Sequence, residues 1–294
     1  MDKAASRIRL LLVIIRMKYI SLLLSLFVTS NMVAQIIKNK EAAILEVHYI
    51  KTTVTDTLKY RSYSDLMTLR VGKTSAMFYP TKRMWADSLL QTNYALYEKL
   101  HREMNPVGQS EYKPIGGIER EFLFRNINDG ETMVYRKIAG DAYSYIEHTE
   151  HPVWELASET KEIMGYICQL ATCNYRGRVW KVWFTPDIPI NEGPWKLFGL
   201  PGLVLEANDE KNHYTYKAIC LYTQNLQPVG IRLYIKNRPY KLKFREEYLQ
   251  KMYKEYIKGN FAFSMNTLHG NSTQYIPSDA QYDFQERDYP HVSK

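Results

Sequence analysis

Alternation of apolar and polar residues is the main pattern of the chain after its first 40 residues. Residues 43–57 alternate, and residues 64–80 alternate on both sides of a Val-Gly-Lys turn. Side chains of a β-strand point to opposite faces in turn, so a period of two predicts a strand followed by a β-hairpin. The first third of the chain beyond the N-terminal segment is therefore predicted to be sheet.

Two segments have the spacing of helices instead. Between residues 83 and 104, apolar residues recur on one stripe, and Asn105-Pro106 ends the pattern. A second amphipathic segment covers about residues 243–258. Such stripes indicate helices that pack against an apolar surface. The residues of the first stripe are Trp85, Leu89, Leu96, Tyr97 and Leu100.

Strand-like runs resume after residue 117 and continue to about residue 236. They are separated by short turns such as Asn128-Asp129-Gly130 and Tyr175-Arg176-Gly177. Turns of this length join neighbouring antiparallel strands. The chain also holds 24 tyrosines, a residue type that favours half-buried strand surfaces. We expect a meander of roughly eight to eleven strands, in an α+β protein that is predominantly β, with one or two long helices.

Residues 186–202, here named the proline-rich segment, interrupt this pattern. Proline fixes φ and lacks an N–H, so the segment cannot run through the middle of a sheet. Glycines allow close backbone approach, and large apolar residues favour burial. We expect the segment to form a rigid plug that closes one end of a curved sheet. The same segment can also form one wall of a ligand cavity. The prolines are Pro186, Pro189, Pro194 and Pro201, and the glycines of interest are Gly199 and Gly202.

The N-terminus predicts export. Residues 17–35 combine a basic start, an apolar stretch over about 19–28, and small residues leading to Ala34, which is the pattern of a cleaved signal peptide. Residues 1–16 indicate either an internal start at Met17, which we favour, or an extended signal; a retained signal anchor is the alternative. No later apolar run reaches the length of a membrane span, so no mature transmembrane helix is expected. Residues 35–294 are predicted to form a single domain, with a tail from about residue 270 that is poorly ordered.

Charge and cysteine content narrow the function classes. The formal net charge is +8, and residues 1–34 hold five basic residues against one acidic, so cleavage lowers it to +4. The remaining basic residues are scattered, which argues against a nucleic-acid partner. Export makes a disulfide plausible for one pair among Cys168, Cys173 and Cys220. Cys168 and Cys173 lie five residues apart and so on opposite faces of a regular strand, which leaves a bridge to Cys220 on a neighbouring strand equally open.

Residues 165–209 carry a family resemblance. The run GYICQLATCNYRGRVWKVWFTPDIPINEGPWKLFGLPGLVLEAND resembles the central signature of the GLPGLI family of secreted Bacteroidetes proteins, a Porphyromonas-type family of unknown function. Val204 stands where the family name has isoleucine, and Cys173 where threonine is expected. The resemblance implies an exported protein of the periplasm, the outer membrane or the exterior, and it implies no reaction. At the level of the fold, the predicted curved sheet is similar to the half-barrel of periplasmic lipoprotein carriers such as LolA.

Residues with catalytic potential do not form a recognisable constellation. No G-x-S-x-G nucleophile motif occurs. His148 and His151 lie near Pro152 in a predicted loop, and they and His213 are interpreted as exposed histidines rather than metal ligands. Asp187 is interpreted as a turn residue and Glu206 as a solvent-facing strand residue. No catalytic residue, metal or cofactor is predicted.

A non-catalytic binding or carrier protein for an apolar ligand, such as a lipid, acyl chain or peptide, is the favoured function. The alternative is an envelope protein that interacts with an outer-membrane transport system, and a hydrolase ranks third. Arg176 and Arg178 are expected to pair with carboxylates as a structural brace. The predicted ligand-binding residues are Trp183, Trp195, Phe198, Leu200 and Leu203.

Overall fold

The structure of the protein, a computed structural model, describes residues 37–106, 114–138, 141–232, 241–242, 244–257, 265–267, 270–272 and 283–288. The predicted signal peptide lies outside these residues, as does most of the predicted tail. Three helices are described: α1 (Thr81–Thr92), α2 (Tyr94–Met104) and α3 (Arg245–Ile257). No helix in this described part has both the length and the apolar character needed to cross a bilayer.

Sixteen strands are described, and twelve of them form one sheet. In chain order they are β1 (Ile37–Glu41), β2 (Leu45–Asp56), β3 (Arg61–Val71), β4 (Ser75–Pro80), β5 (Phe122–Asn126), β6 (Glu131–Ile138), β7 (Asp141–His148), β8 (Glu155–Ile163), β9 (Tyr166–Tyr175), β10 (Arg178–Thr185), β11 (Leu203–Asp209), β12 (Tyr214–Tyr222), β13 (Val229–Arg232), β14 (Lys241–Leu242), β15 (Met265–Thr267) and β16 (Gly270–Ser272).

The large sheet is open and almost entirely antiparallel. Its order is β14-β7-β6-β5-β4-β3-β2-β12-β11-β10-β9-β8, and the two-residue strand β14, which pairs with β7, is the parallel member. The ends of this order, β14 and β8, are not joined to each other. The prediction of a predominantly β, antiparallel architecture with helices is confirmed.

The N-terminal strand and hairpin follow the sequence pattern closely. β2 alternates buried and half-buried residues along most of its length, as expected for a strand with one face in the core. β3 and β4 pair in an antiparallel hairpin whose turn contains Gly72. The predicted strand and hairpin over residues 43–57 and 64–80 are therefore confirmed.

The predicted helix over residues 83–104 is two helices. Asn93 lies between them with φ −150°, outside the helical region, and its side chain accepts a hydrogen bond from the backbone N–H of Leu96. Asparagine is a preferred N-cap because its side chain satisfies a backbone donor that the new helix leaves without a partner. The prediction of one continuous helix is thus wrong, since the apolar stripe continues across the break. α2 has no buried side chain.

The sheet has a hydrophobic cluster on each face. On β4, Ala76 and Phe78 belong to the larger cluster, whereas Met77 and Tyr79 belong to the smaller one. Consecutive strand residues point to opposite faces, so the two clusters lie on opposite sides of the sheet. The larger cluster also contains buried residues of the proline-rich segment and of α3, which contacts β6 and β7. That face of the sheet is therefore the covered one.

The three cysteines are free thiols. Cys168 and Cys173 are both buried in the larger cluster. Cys220 is on β12, which β11 and β10 separate from β9. Strands are spaced about 4.8 Å apart, so this separation is roughly 14 Å, and a disulfide needs Cα atoms within about 7 Å. The option of a bridge to Cys220 on a neighbouring strand is therefore wrong.

Candidate functional site: a small pocket and a buried ionic cluster

The proline-rich segment connects two neighbouring strands without forming a strand itself. It leaves the sheet after β10 and returns at β11, and these strands pair with each other. Between them, Trp195, Leu197 and Leu200 are buried in the larger cluster. The prediction that this segment leaves the sheet and folds inward is confirmed.

Two glycines in this part of the chain leave no room for a side chain. A Cβ atom at Gly193 would lie 2.1 Å from the carbonyl oxygen of Leu197, and one at Gly202 would lie 2.1 Å from the carbonyl oxygen of Thr185. Neither neighbour is the end of a flexible side chain; both are backbone atoms. The packing of this segment therefore requires glycine at both positions.

The predicted ligand-binding residues occupy different environments. Trp195, Leu200 and Leu203 are buried in the larger cluster, whereas Trp183 and Phe198 are half-buried. Only Trp195 and Phe198 line the pocket described below. Trp183 instead lies beneath the ammonium group of Lys161, 4.5 Å from its ring centroid.

A small pocket lies between the proline-rich segment and strands β3 to β6. Its free volume is about 10 Å³, roughly the room that one water molecule needs. One wall comes from the segment and the other from the sheet, and both are mainly apolar. The lining residues are Leu69, Ala76, Met77, Phe78, Leu123, Arg125, Thr132, Glu192, Gly193, Trp195, Lys196 and Phe198.

Arg125 provides the charged part of this pocket. Its guanidinium lies 3.6 Å from the centroid of the Phe198 ring, in cation–π geometry, and pairs with the carboxylate of Glu192. Burial lowers the pKa of Arg125, and Tyr175 partly opposes this shift. Neither residue was predicted from the sequence, although a carboxylate within an inward-folding segment is a usable signal for Glu192.

Lys196, from the same segment, belongs to a buried ionic cluster. Its ammonium nitrogen lies 2.6 Å from Glu147 Oε1 and 2.7 Å from Glu286 Oε1, and it donates to the hydroxyl of Tyr145 at 3.1 Å. Its side chain is 1% exposed. Burial by itself lowers the pKa of Lys196, but Glu286 and Glu147 raise it, and the pKa is raised overall. The lysine is thus held as a buried cation.

Two arginines and one aspartate extend this cluster. Arg245 on α3 lies 2.5 Å from Glu286 and also pairs with Asp288. Arg176 lies 2.9 Å from Glu147 and 3.4 Å from Asp288. Burial alone would raise the pKa of Glu286, whereas Lys196 and Arg245 lower it to about 2. The cluster therefore joins β7, the β9–β10 turn, the proline-rich segment, α3 and residues 283–288.

Arg178 forms a second buried ion pair beside the cluster. Its Nη1 donates to Asp209 Oδ2 at 2.7 Å, and both side chains are fully buried. The predicted brace by Arg176 and Arg178 is confirmed, although the partners include Glu147 and Asp209 rather than Asp187 or Glu206. Asp187 is exposed, and Glu206 pairs with Lys161 at 2.9 Å.

The histidines differ from one another. His213 is buried, and its Nδ1 lies 2.6 Å from Asp283 Oδ2, so the prediction that it is exposed is wrong. A segment more than 60 residues further along the chain covers its turn, which local sequence could not indicate. His148 and His151 are exposed, as predicted. Among the described residues, no three His, Cys, Asp or Glu side chains are grouped to hold a metal ion.

The ionic cluster predicts a dependence of stability on acid. The pKa of Glu286 is lowered from 4.5 to about 2, so its stabilising contribution is present above about pH 5 and is lost as the pH falls toward 2. We expect the free energy of unfolding, from urea titrations, to decrease across this window by on the order of 3 kcal/mol from this group. A Glu286→Gln variant should show a flatter dependence, and an unchanged slope would contradict the assignment.

Comparisons with known proteins agree with the resemblance seen in the sequence. Residues 176–206 match the Porph_ging family of proteins of unknown function. This stretch contains Arg176, Arg178 and every residue that the proline-rich segment contributes to the pocket lining, Lys196 included. Among curated proteins, none matches the chain.

Two solved structures show a distant similarity. Structures of PNGF-II in space groups P21 and C2 align with TM-scores of 0.46 and 0.45, each at 14% identity and each covering 72% of this chain. The chain spans about a third of their length, 34% and 33% respectively.

Proposed function

We propose that this protein is a non-catalytic binding or carrier protein of the cell envelope, which holds an apolar group of its ligand in the pocket beside the proline-rich segment. The observation that carries the proposal is the composition of that pocket. Phe198 and Trp195 face Leu69, Phe78 and Leu123 of the sheet. Pockets of this kind, mainly apolar with a few fixed polar groups, are typical of sites for small ligands.

The size of the pocket limits the ligand. The free volume inside the pocket is only about 10 Å³, room for about one water molecule, which is well below the range for ligand sites. The end of an acyl chain or one apolar peptide side chain would therefore enter only by displacing the half-buried Phe198 ring, and the remainder of the ligand would stay outside. Arg125 lies at the same site, where it can orient a carboxylate or carbonyl oxygen of the ligand.

Export and the half-barrel comparison belong to the same proposal. The signal-peptide pattern over residues 17–35 supports a location in the periplasm, at the outer membrane or outside the cell. The open antiparallel sheet with α3 on one face supports the similarity to lipoprotein carriers such as LolA. A hydrolase receives no support from Asp187 and Glu206, since the first is exposed and the second is paired with Lys161.

Narrowing the pocket tests the function. Ala76 is buried and lines the pocket, so Ala76→Val adds two methyl groups to its wall. We expect the affinity for octanoate, measured by calorimetric titration, to fall at least about tenfold. Ala207→Val adds the same two methyl groups at a buried position outside the pocket and should leave the affinity unchanged.

A second measurement addresses the natural ligand. Protein purified from its native envelope should carry an apolar molecule that native mass spectrometry detects, and Ala76→Val should carry less of it. Absence of such a molecule together with no octanoate binding would overturn the proposal, as would equal octanoate binding by the two alanine variants.

A further inference from the structure

We propose that the groove occupied by residues 283–288 is a recognition site for extended acidic peptide segments, and that this part of the chain, DFQERD, is its resident occupant. We name these six residues the acidic segment. The groove lies beside the apolar pocket, and Lys196 belongs to both, but the proposal does not depend on the function proposed above. It rests on how the groove contacts the segment.

The groove binds the backbone of the acidic segment. Arg178 donates from Nε to the carbonyl of Gln285 at 3.0 Å, and from Nη2 to the carbonyls of Phe284 at 2.5 Å and Asp283 at 3.3 Å. Tyr214 donates its hydroxyl to the carbonyl of Asp283 at 2.7 Å. Contacts to successive main-chain carbonyls are how peptide-binding proteins hold an extended ligand without regard to its side chains.

The backbone of the groove also takes part. The N–H of Arg287 donates to the carbonyl of Arg176 at 2.9 Å. Beside it, Gly177 has φ +74°, and a Cβ at this position would lie 2.9 Å from the backbone nitrogen of Asp288. Glycine therefore permits both the turn and the close approach of the segment.

Side chains of the acidic segment enter separate positions in the groove. Asp283 contacts His213 and Arg178, and Glu286 contacts Lys196 and Arg245. Phe284 lies 5.7 Å from Tyr253 between ring centroids, and the amide of Gln285 donates to the hydroxyl of Tyr216. The groove thus selects carboxylates at the first and fourth positions and an aromatic ring at the second.

The charges of the two parts are complementary. The groove contributes four cations, from Arg176, Arg178, Lys196 and Arg245, against the carboxylates of Glu147 and Asp209, which leaves it two positive charges in excess. The acidic segment has three carboxylates and one arginine, an excess of two negative charges. Without an occupant, the groove would hold buried cations short of partners, a costly arrangement that favours an anionic ligand. A partner segment of the same chemistry can therefore exchange with the resident one.

Peptide binding to a weakened variant tests the proposal. The full chain with Asp283→Ala and Glu286→Ala keeps the residues of the groove. Its own acidic segment, however, lacks the two carboxylates that contact the groove and should be held less tightly. The labelled peptide Ac-DFQERD-NH2 should bind this variant at least about tenfold more tightly than it binds the wild type, where the resident segment competes, as read by fluorescence anisotropy. A control peptide with Asn and Gln at its first and fourth positions should bind at least about tenfold more weakly. Equal binding of the two peptides, or none to a folded variant, overturns the proposal.

Hydrogen exchange of the wild-type protein provides a second test that needs no variant. If the acidic segment is exchangeable, the amide of Arg287 opens locally and exchanges much faster than the paired amides of β9 and β10. Exchange of Arg287 at the same rate as those strands means that the segment is released only by global unfolding. That result would overturn the proposal even if the double variant failed to fold.

Discussion

Replacement of Gly202 by alanine is expected to destabilise the protein by about 3 kcal/mol or more. The new Cβ would lie 2.1 Å from the carbonyl oxygen of Thr185 and 2.9 Å from the Cα of Pro186. Because both contacts are with backbone, the end of β10 and the start of the proline-rich segment must move, and overpacking of this kind typically costs 1–3 kcal/mol or more. Urea unfolding of the variant measures the loss.

A second glycine provides the control for this substitution. Gly165, in the β8–β9 turn, has φ +84° but nothing within 4 Å of its Cβ position. Gly165→Ala should therefore cost only the conformational strain, about 1–2 kcal/mol. If Gly202→Ala were no more destabilising than Gly165→Ala, this would contradict the conclusion that the backbone packs too closely around Gly202 to admit a side chain.

Replacement of Lys196 by methionine is expected to cost about 3–5 kcal/mol. The substitution keeps most of the volume but leaves the carboxylates of Glu147 and Glu286 without the cation between them, and uncompensated buried charge is strongly destabilising. The pKa of Glu286 should then rise, because Lys196 is the first of the cations that lower it. Stability measured against pH should therefore fall at higher pH than in the wild type.

Lys161→Met is the matched control. Lys161 also pairs with a glutamate, Glu206 at 2.9 Å, but its side chain is 34% exposed, against 1% for Lys196. Partly exposed pairs contribute about 0–1 kcal/mol, so this variant should unfold almost like the wild type. If the free energy of unfolding fell by a similar amount in both variants, burial would not explain the expected difference between the two ion pairs.

The sequence predicted the features that depend on local pattern. The alternation of apolar and polar residues predicted β2, β3 and β4. Pro186 and Pro201 predicted where the chain leaves the sheet, because a residue without an N–H cannot pair inside a β-sheet. Asn93 was missed as a helix boundary, since the apolar stripe runs through it unchanged. An asparagine that caps a new helix is difficult to recognise when the apolar pattern continues through it, because asparagine also occurs inside helices.

The charged sites could not be predicted in the same way. Lys196 appears locally as one cation among apolar residues, and its partners Glu147 and Glu286 lie 49 and 90 positions away in the sequence. His213 likewise depends on Asp283. Such pairings depend on the order of the strands in the sheet and on where residues 283–288 pack. The periodicity of apolar residues predicts neither. Of the five predicted ligand-binding residues, only Trp195 and Phe198 line the pocket.

Arg178 depends on carbonyl partners that lie 105 to 107 positions further along the chain. During biosynthesis, which proceeds from the N-terminus, these partners emerge after every strand of the large sheet has been made. A nascent polypeptide halted before them would present Arg178 to solvent or leave it incompletely paired, and contacts of such long separation also form slowly. Completion of the native state is therefore coupled to synthesis of residues 283–285, and a product terminated before them would lack these three contacts to Arg178.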